Sequence, residues 1–149
     1  MKGLATMKRF LYYVSLALPI VYMIAIWVMS SLPHNAVIEL PNSKIDVFLK
    51  ESLHLVEFAI LYILFVIPLA ISGKLTFKTS MIVAIISALY GVTDEIHQSF
   101  VPYRSATLID VAKDWIGVIA AWAHVRYHYF HRQKSILNKL TNYYAKRAK

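Results

Sequence analysis

Long uncharged apolar stretches alternate with short polar ones along this chain, and the alternation occurs four times. Phe10 to Met29 carries no charge. A second stretch, from about Leu53 to Ile71, has His54 and Glu57 in its first turn and Pro68 near its end. A third runs from about Thr79 to Asp94, and a fourth from about Leu108 to Tyr127. Each approaches the roughly 20 residues a helix needs to cross bilayer hydrocarbon. Helices are the expected form, because a helix satisfies its own backbone hydrogen bonds where no water is present. Gly73-Lys74-Leu75-Thr76-Phe77-Lys78 reads as a tight turn between the second and third stretches.

The first stretch exceeds the apolar region of a cleaved signal peptide, and no clear small-x-small cleavage site follows it, so a retained anchor is expected. Leu32 to Lys50 is too polar to cross a bilayer and is punctuated by Pro33, Pro41 and Asn42. It reads equally as a lid over the bundle end or as a solvated loop. Near the C-terminus, Ile136, Leu137, Leu140, Tyr143 and Tyr144 form an apolar stripe opposite lysines, the pattern of an interfacial amphipathic helix. The expected fold is therefore an all-α membrane protein with four transmembrane helices. Residues 1–127 form the four-helix domain and residues 128–149 a basic amphipathic cytoplasmic tail.

Composition sharpens this picture. Of 149 residues, 58% are hydrophobic and only 16% charged, against roughly a quarter charged in an average soluble domain. The chain has no cysteine, which excludes disulfides, thiolate metal sites and cysteine nucleophiles. A net charge of +8 raises nucleic acid as a partner, but the basic residues sit at chain ends and short loops. Anionic lipid headgroups account for that placement better. With four spans, twelve lysines and arginines fall on the side of the two termini and the Lys74–Lys78 turn. Four (Lys44, Lys50, Arg104 and Lys113) fall on the other. Both termini are therefore expected in the cytoplasm, and the chain in the cytoplasmic membrane as a multi-pass protein with membrane lipids as partners.

That topology gives the acidic residues a side. Glu57 begins the second span, Asp94 and Glu95 end the third, and Asp110 and Asp114 begin the fourth. All five are expected near the outer face, with His54, His97, Gln98 and Arg104. Ionisable groups near hydrocarbon are costly unless paired or facing a wet cavity, so this density is a candidate site. Ser80, Ala84, Ser87, Ala88 and Gly91 make a small-residue seam on the third span, leading to Asp94. Asp110, Asp114, Gly117 and Ala121 share one face of the fourth.

Several chemistries are open to such a cluster. His54, Glu57, Asp94, Glu95 and His97 offer metal donors, but no His-Glu-x-x-His motif accompanies them and neither metal nor cofactor is expected. If the protein is an enzyme, Glu57, Asp94, Glu95 and His97 are the acid–base candidates. Arg104 suits a phosphate, as in a lipid-linked cell-wall substrate. The surplus of acid suits instead a cationic group, such as a glycopeptide amine. A purely structural hydrogen-bonded network is the plain alternative. His124, His128 and His131, spaced i, i+4, i+7, read as part of a headgroup-level helix rather than a metal site.

Asp94-Glu95-x-His97-Gln98-x-Phe100-Val101-Pro102-x-Arg104, followed by Asp110 and Gly117, resembles the signature of the VanZ-like family of small bacterial membrane proteins. The span ending in Ser30-Ser31 and the His54-bearing second span are similar to that family too. The resemblance covers about residues 10–125. Tyr103 stands where a glycine is common, Asp114 where an asparagine is common, and Ala121 where a second glycine is frequent. The resemblance implies a cell-envelope membrane protein associated with tolerance of the glycopeptide teicoplanin, and it supplies no reaction. Its expected ligand-binding residues are His54, Glu57, Asp94, Glu95, His97, Gln98, Arg104, Asp110 and Asp114.

Overall fold

The computed structural model describes the backbone of residues 2–32, 43–102, 104 and 106–145, and the side chains of these apart from 2–5, 8, 43–52, 54 and 145. Within them the chain is all helical: α1 (Lys2–Ser30), α2 (Ser43–Ile71), α3 (Phe77–Gln98), α4 (Leu108–Val125), a π-helical segment (Arg126–His131) and α5 (Ile136–Ala145). Two helical windows, Arg9–Ser30 and Phe77–Gln98, are long and apolar enough to cross a membrane, each with 22 residues and mean hydropathies of 2.0 and 1.3. The described apolar part of α2, Leu55–Ile71, is shorter. α4 carries Asp110, Lys113 and Asp114 in its first two turns.

Helix ends follow local chemistry. α2 stops at Gly73, which takes φ +69°, while the Lys74 amide reaches back 2.9 Å to the Leu69 carbonyl. A left-handed residue that closes the last carbonyls in this way is the usual helix stop, and glycine adopts it without strain. Thr76 then opens α3 with a reciprocal capping box to Thr79, and Thr107 opens α4 by accepting from the Asp110 amide. Such caps stabilise a helix start by about 1 kcal/mol. α2 begins ten residues before the apolar stretch, at Ser43. The expected lid or loop thus splits: 43–50 are the first turns of α2, and 33–42 lie outside the described residues.

Contacts set the directions of the helices. Ser30 meets Asp94, and Tyr90 meets the Met23 carbonyl, so α1 and α3 run in parallel. Trp115 donates to the Ala88 carbonyl, which makes α4 antiparallel to α3. α2 lies at the centre and supplies most of the core, with Phe58, Leu61, Tyr62, Val66 and Ala70 all fully buried. Their three- and four-residue spacing places them on one helical face. Ile26, Val118 and Val125 complete the cluster from α1 and α4, and the Tyr62 hydroxyl is 2.8 Å from Ser80 Oγ of α3.

The outward faces are apolar. Tyr13, Ile20, Val21, Ile24 and Val28 of α1 are exposed, as are Ile82, Ile85 and Leu89 of α3 and Ile109, Ile116 and Ile119 of α4. A soluble monomer rarely shows so much contiguous apolar surface.

At the end opposite the acids, the π-helical segment widens the spacing on which the histidine face depended. His124 and His128 have ring centroids 4.4 Å apart, whereas His131 is exposed. Arg126 lies over both Phe77 and Trp122. α5 folds back onto α2, with Thr141 donating to the Ala70 carbonyl and Asn138 to the Tyr129 carbonyl. The expected apolar stripe is therefore divided: Leu137 packs against the core, while Ile136 is 76% exposed.

Gly117 marks the tightest approach. A Cβ there would overlap the Leu55 carbonyl oxygen, which belongs to the backbone of α2 and has no rotamer to yield. A Cβ on Gly91 would lie 3.1 Å from Asp114 Oδ2, a side-chain atom able to shift. Gly117→Ala is expected to destabilise the bundle by at least about 1–3 kcal/mol, the usual range for overpacking, and Gly91→Ala by less. Thermal unfolding of the micelle-solubilised variants checks the order.

Candidate functional site

The C-terminal ends of α1 and α3 and the start of α4 come together, and most of the acids lie there. Asp94 is 1% exposed and holds two short bonds: Ser30 Oγ donates to Oδ1 at 2.6 Å, and Gln98 Nε2 to Oδ2 at 2.6 Å. Both donors are neutral. Gln98 lies one turn beyond Asp94 on α3, so helical periodicity alone aligns that pair. Ser30 is the last residue of α1, so its bond fastens two helices distant in sequence.

Beside this set is a second one, nearer the helix ends. His97 stacks on Trp27 with centroids 3.9 Å apart and planes at 22°. Its Nε2 is 2.9 Å from Ser31 Oγ, and the Ser31 hydroxyl also reaches the Trp27 carbonyl at 2.7 Å. Arg104, in the connection between α3 and α4, sends Nε to the Leu32 carbonyl (3.0 Å) and Nη2 to the Met29 carbonyl (2.9 Å). It thus caps the last carbonyls of α1, where a cation is favoured by the helix dipole.

The guanidinium of Arg104 is thus turned to the main chain. Among the described residues its bonding partners are main-chain carbonyls of α1. The remaining acids lie where α3 meets α4. Glu95 Oε2 accepts from the Thr107 amide at 3.2 Å. Asp110 accepts from the Thr107 hydroxyl at 2.6 Å and pairs with Lys113 Nζ at 2.9 Å. Asp114 is fully buried with its carboxylate against Gly91, where the missing Cβ leaves it room. Glu57 is half-buried on α2. His54 belongs to α2, and its side chain lies outside those described.

The predicted residues therefore form an α1–α3 group (Asp94, His97, Gln98 and Arg104) and an α3–α4 group (Glu95, Asp110 and Asp114). Sequence reasoning missed Ser30, Ser31, Trp27 and Thr107 as members of these groups. Only the Ser30-Ser31 pair at the end of an apolar stretch gave a signal, since hydroxyls and a tryptophan do not stand out as ionisable residues do.

No group of three or more histidine or acidic side chains among the described residues is placed to hold a metal ion. The arrangement instead offers an imidazole and a hydroxyl in contact, held in orientation by an aromatic ring and a guanidinium. Asp94→Leu is expected to leave the buried Gln98 amide without its acceptor and to cost about 1–3 kcal/mol. Asp94→Asn keeps an oxygen for Ser30 and should cost less. Arg104→Lys should behave like Arg104→Ala, because an ammonium cannot reproduce a planar fork spanning two carbonyls. Unfolding midpoints in micelles decide each comparison.

No curated protein and no solved structure matches the chain. The family model described as VanZ/LLP1 matches residues 10–130. That span takes in α1 to α4, nearly all of the π-helical segment, and every residue of the two polar groups, leaving out α5. The resemblance carried by Asp94 to Arg104, Asp110 and Gly117 thus extends over most of the sequence, and the chain belongs to the VanZ/LLP1 family.

Proposed function

We propose that this protein is a four-span protein of the bacterial cytoplasmic membrane, with both termini in the cytoplasm. In this reading the polar groups at the ends of α1 and α3 face outward, and the protein contributes there to tolerance of the glycopeptide teicoplanin by binding a cell-envelope ligand. The observation that carries the membrane reading is the apolar outer surface of α1, α3 and α4 around an interior that holds Asp94, Gln98 and Asp114. A bundle solvated by lipid has this distribution, with polar side chains turned inward.

Two further features support the orientation. Lysine and arginine are concentrated on the side of the termini and the Lys74–Lys78 turn, twelve against four, as the positive-inside tendency requires. Arg126 and Arg132, each over an aromatic ring, lie at the same end as α5, where an interfacial belt and anionic headgroups would meet them. At the start of α4, Lys113 pairs with Asp110 one turn away, which lowers the cost of both charges near hydrocarbon.

A reporter enzyme fused after Lys149 should be active only in the form that works in the cytoplasm; activity confined to the outside would reverse the topology. Expression in a glycopeptide-sensitive bacterium should raise the teicoplanin concentration that arrests growth. Asp94→Asn and Arg104→Ala, if they accumulate in the membrane like the parent, should return it to the host value. An unchanged concentration with correctly inserted protein would remove the tolerance role while leaving the topology standing.

A further inference from the structure

The Asp94 carboxylate is occupied by Ser30 and Gln98, and Glu95 and Asp110 accept from Thr107. The acids at this end thus act mainly as acceptors that join helices. What the site still presents outward is different in kind: the Ser31 hydroxyl on exposed chain, with His97 Nε2 at 2.9 Å. We propose that Ser31 and His97 form a nucleophile–base pair that cleaves carboxylic esters of lipid-anchored molecules at the outer membrane face. This rests on the outward-facing reading above and names the substrate class for it.

The geometry meets the requirements of such a pair. Nucleophile and base lie within hydrogen-bond reach. The base is held in place, because the Trp27 ring stacks on the imidazole at 3.9 Å and fixes its plane. His97 also occupies the last turn of α3, where the helix dipole favours the imidazolium that forms when the base takes a proton. The hydroxyl donates to the Trp27 carbonyl at 2.7 Å. Rotating its O–H bond toward Nε2 readies the oxygen for attack without moving a heavy atom.

The third element is Arg104. Two of its nitrogens grip carbonyls on either side of Ser31, at Met29 and Leu32. This anchors the backbone that carries the nucleophile and fixes a positive charge beside it. An oxyanion forming next to Ser31 Oγ would meet that charge already in place, with no reorganisation needed at the moment of reaction. The exposed Phe100 and Leu108 flank the connection that holds Arg104, an apolar rim suited to the chains of a lipid.

The reaction would proceed in two balanced steps. Ser31 Oγ attacks the ester carbonyl carbon as its proton passes to His97 Nε2; the carbonyl–alkoxy bond then breaks, and the leaving alkoxide takes the proton as an alcohol. Water next attacks the acyl-serine and gives a proton to Nε2. The carboxylic acid departs as Oγ recovers its proton.

Micelle-solubilised protein treated with an alkyl fluorophosphonate, a probe for activated serines, tests the pair directly. A single adduct on the peptide bearing Ser31, found by mass spectrometry, is expected, and Ser31→Ala should abolish it. His97→Gln should slow labelling at least about a hundredfold, the lower end of general-base contributions. Micellar p-nitrophenyl esters should be hydrolysed by the parent and not by Ser31→Ala. Circular dichroism and gel filtration verify that the variants remain folded. No adduct at Ser31 in folded parent protein, or equal labelling of His97→Gln, would overturn the proposal. Neither result bears on teicoplanin tolerance, so the two readings fail separately.

Discussion

The bond from Ser30 to Asp94 is the contact on which the acid-bearing end of the bundle depends. It joins the last residue of α1 to a buried carboxylate one turn from the end of α3. Once those termini are fixed together, Trp27 can cover His97, Ser31 can reach its imidazole, and Arg104 can close over the carbonyls of α1. A buried carboxylate held, among the described residues, by neutral donors is an expensive choice if the aim is simply to pack two helices. A pair of leucines would do that more cheaply. What the carboxylate adds is direction, because short bonds at 2.6 Å on each oxygen admit one register and one rotation.

The acids divide their labour by helix pair. Asp94 serves α1 with α3, while Glu95 and Asp110 converge on Thr107 at the start of α4. Thr107 is both the cap of α4 and the hub between the two carboxylates, so the entry of α4 is tied to the last turn of α3. Asp114 then lies under Gly91. A residue without a side chain and a buried acid are complementary here, which explains why the small-residue seam of α3 ends where the polar cluster begins.

Much of this architecture was legible in the chain. The four apolar stretches lie within the four long helices, and Gly73 and Thr76 mark a turn that turn chemistry alone predicts. The start of α2 was not legible. Lys44, Asp46, Lys50 and Glu51 make 43–51 look like a loop to any hydropathy reading, yet a helix needs only its own backbone to continue through polar residues. At the site, ionisable residues announced themselves and hydroxyls did not, so Asp94 and His97 were found while Ser30 and Ser31 were passed over. The role of Arg104 was hidden for another reason. Its partners are carbonyl oxygens, which every residue has, so no residue type in the sequence could point to them.

The unequal tightness of the helix contacts has a mechanical consequence. Gly117 against the Leu55 backbone, Trp115 on the Ala88 carbonyl and Tyr62 on Ser80 weld α2, α3 and α4 into one block. α1 has only 17% of its apolar window buried, against 28% for that of α3, and Ser30 and Met23 are among the points that tie it to the block. Of the two helices long enough to cross a membrane, α1 is therefore the less enclosed. Its open face leaves room for a bulky partner along its length, while its last turn stays tied to the block through Asp94, His97 and Arg104.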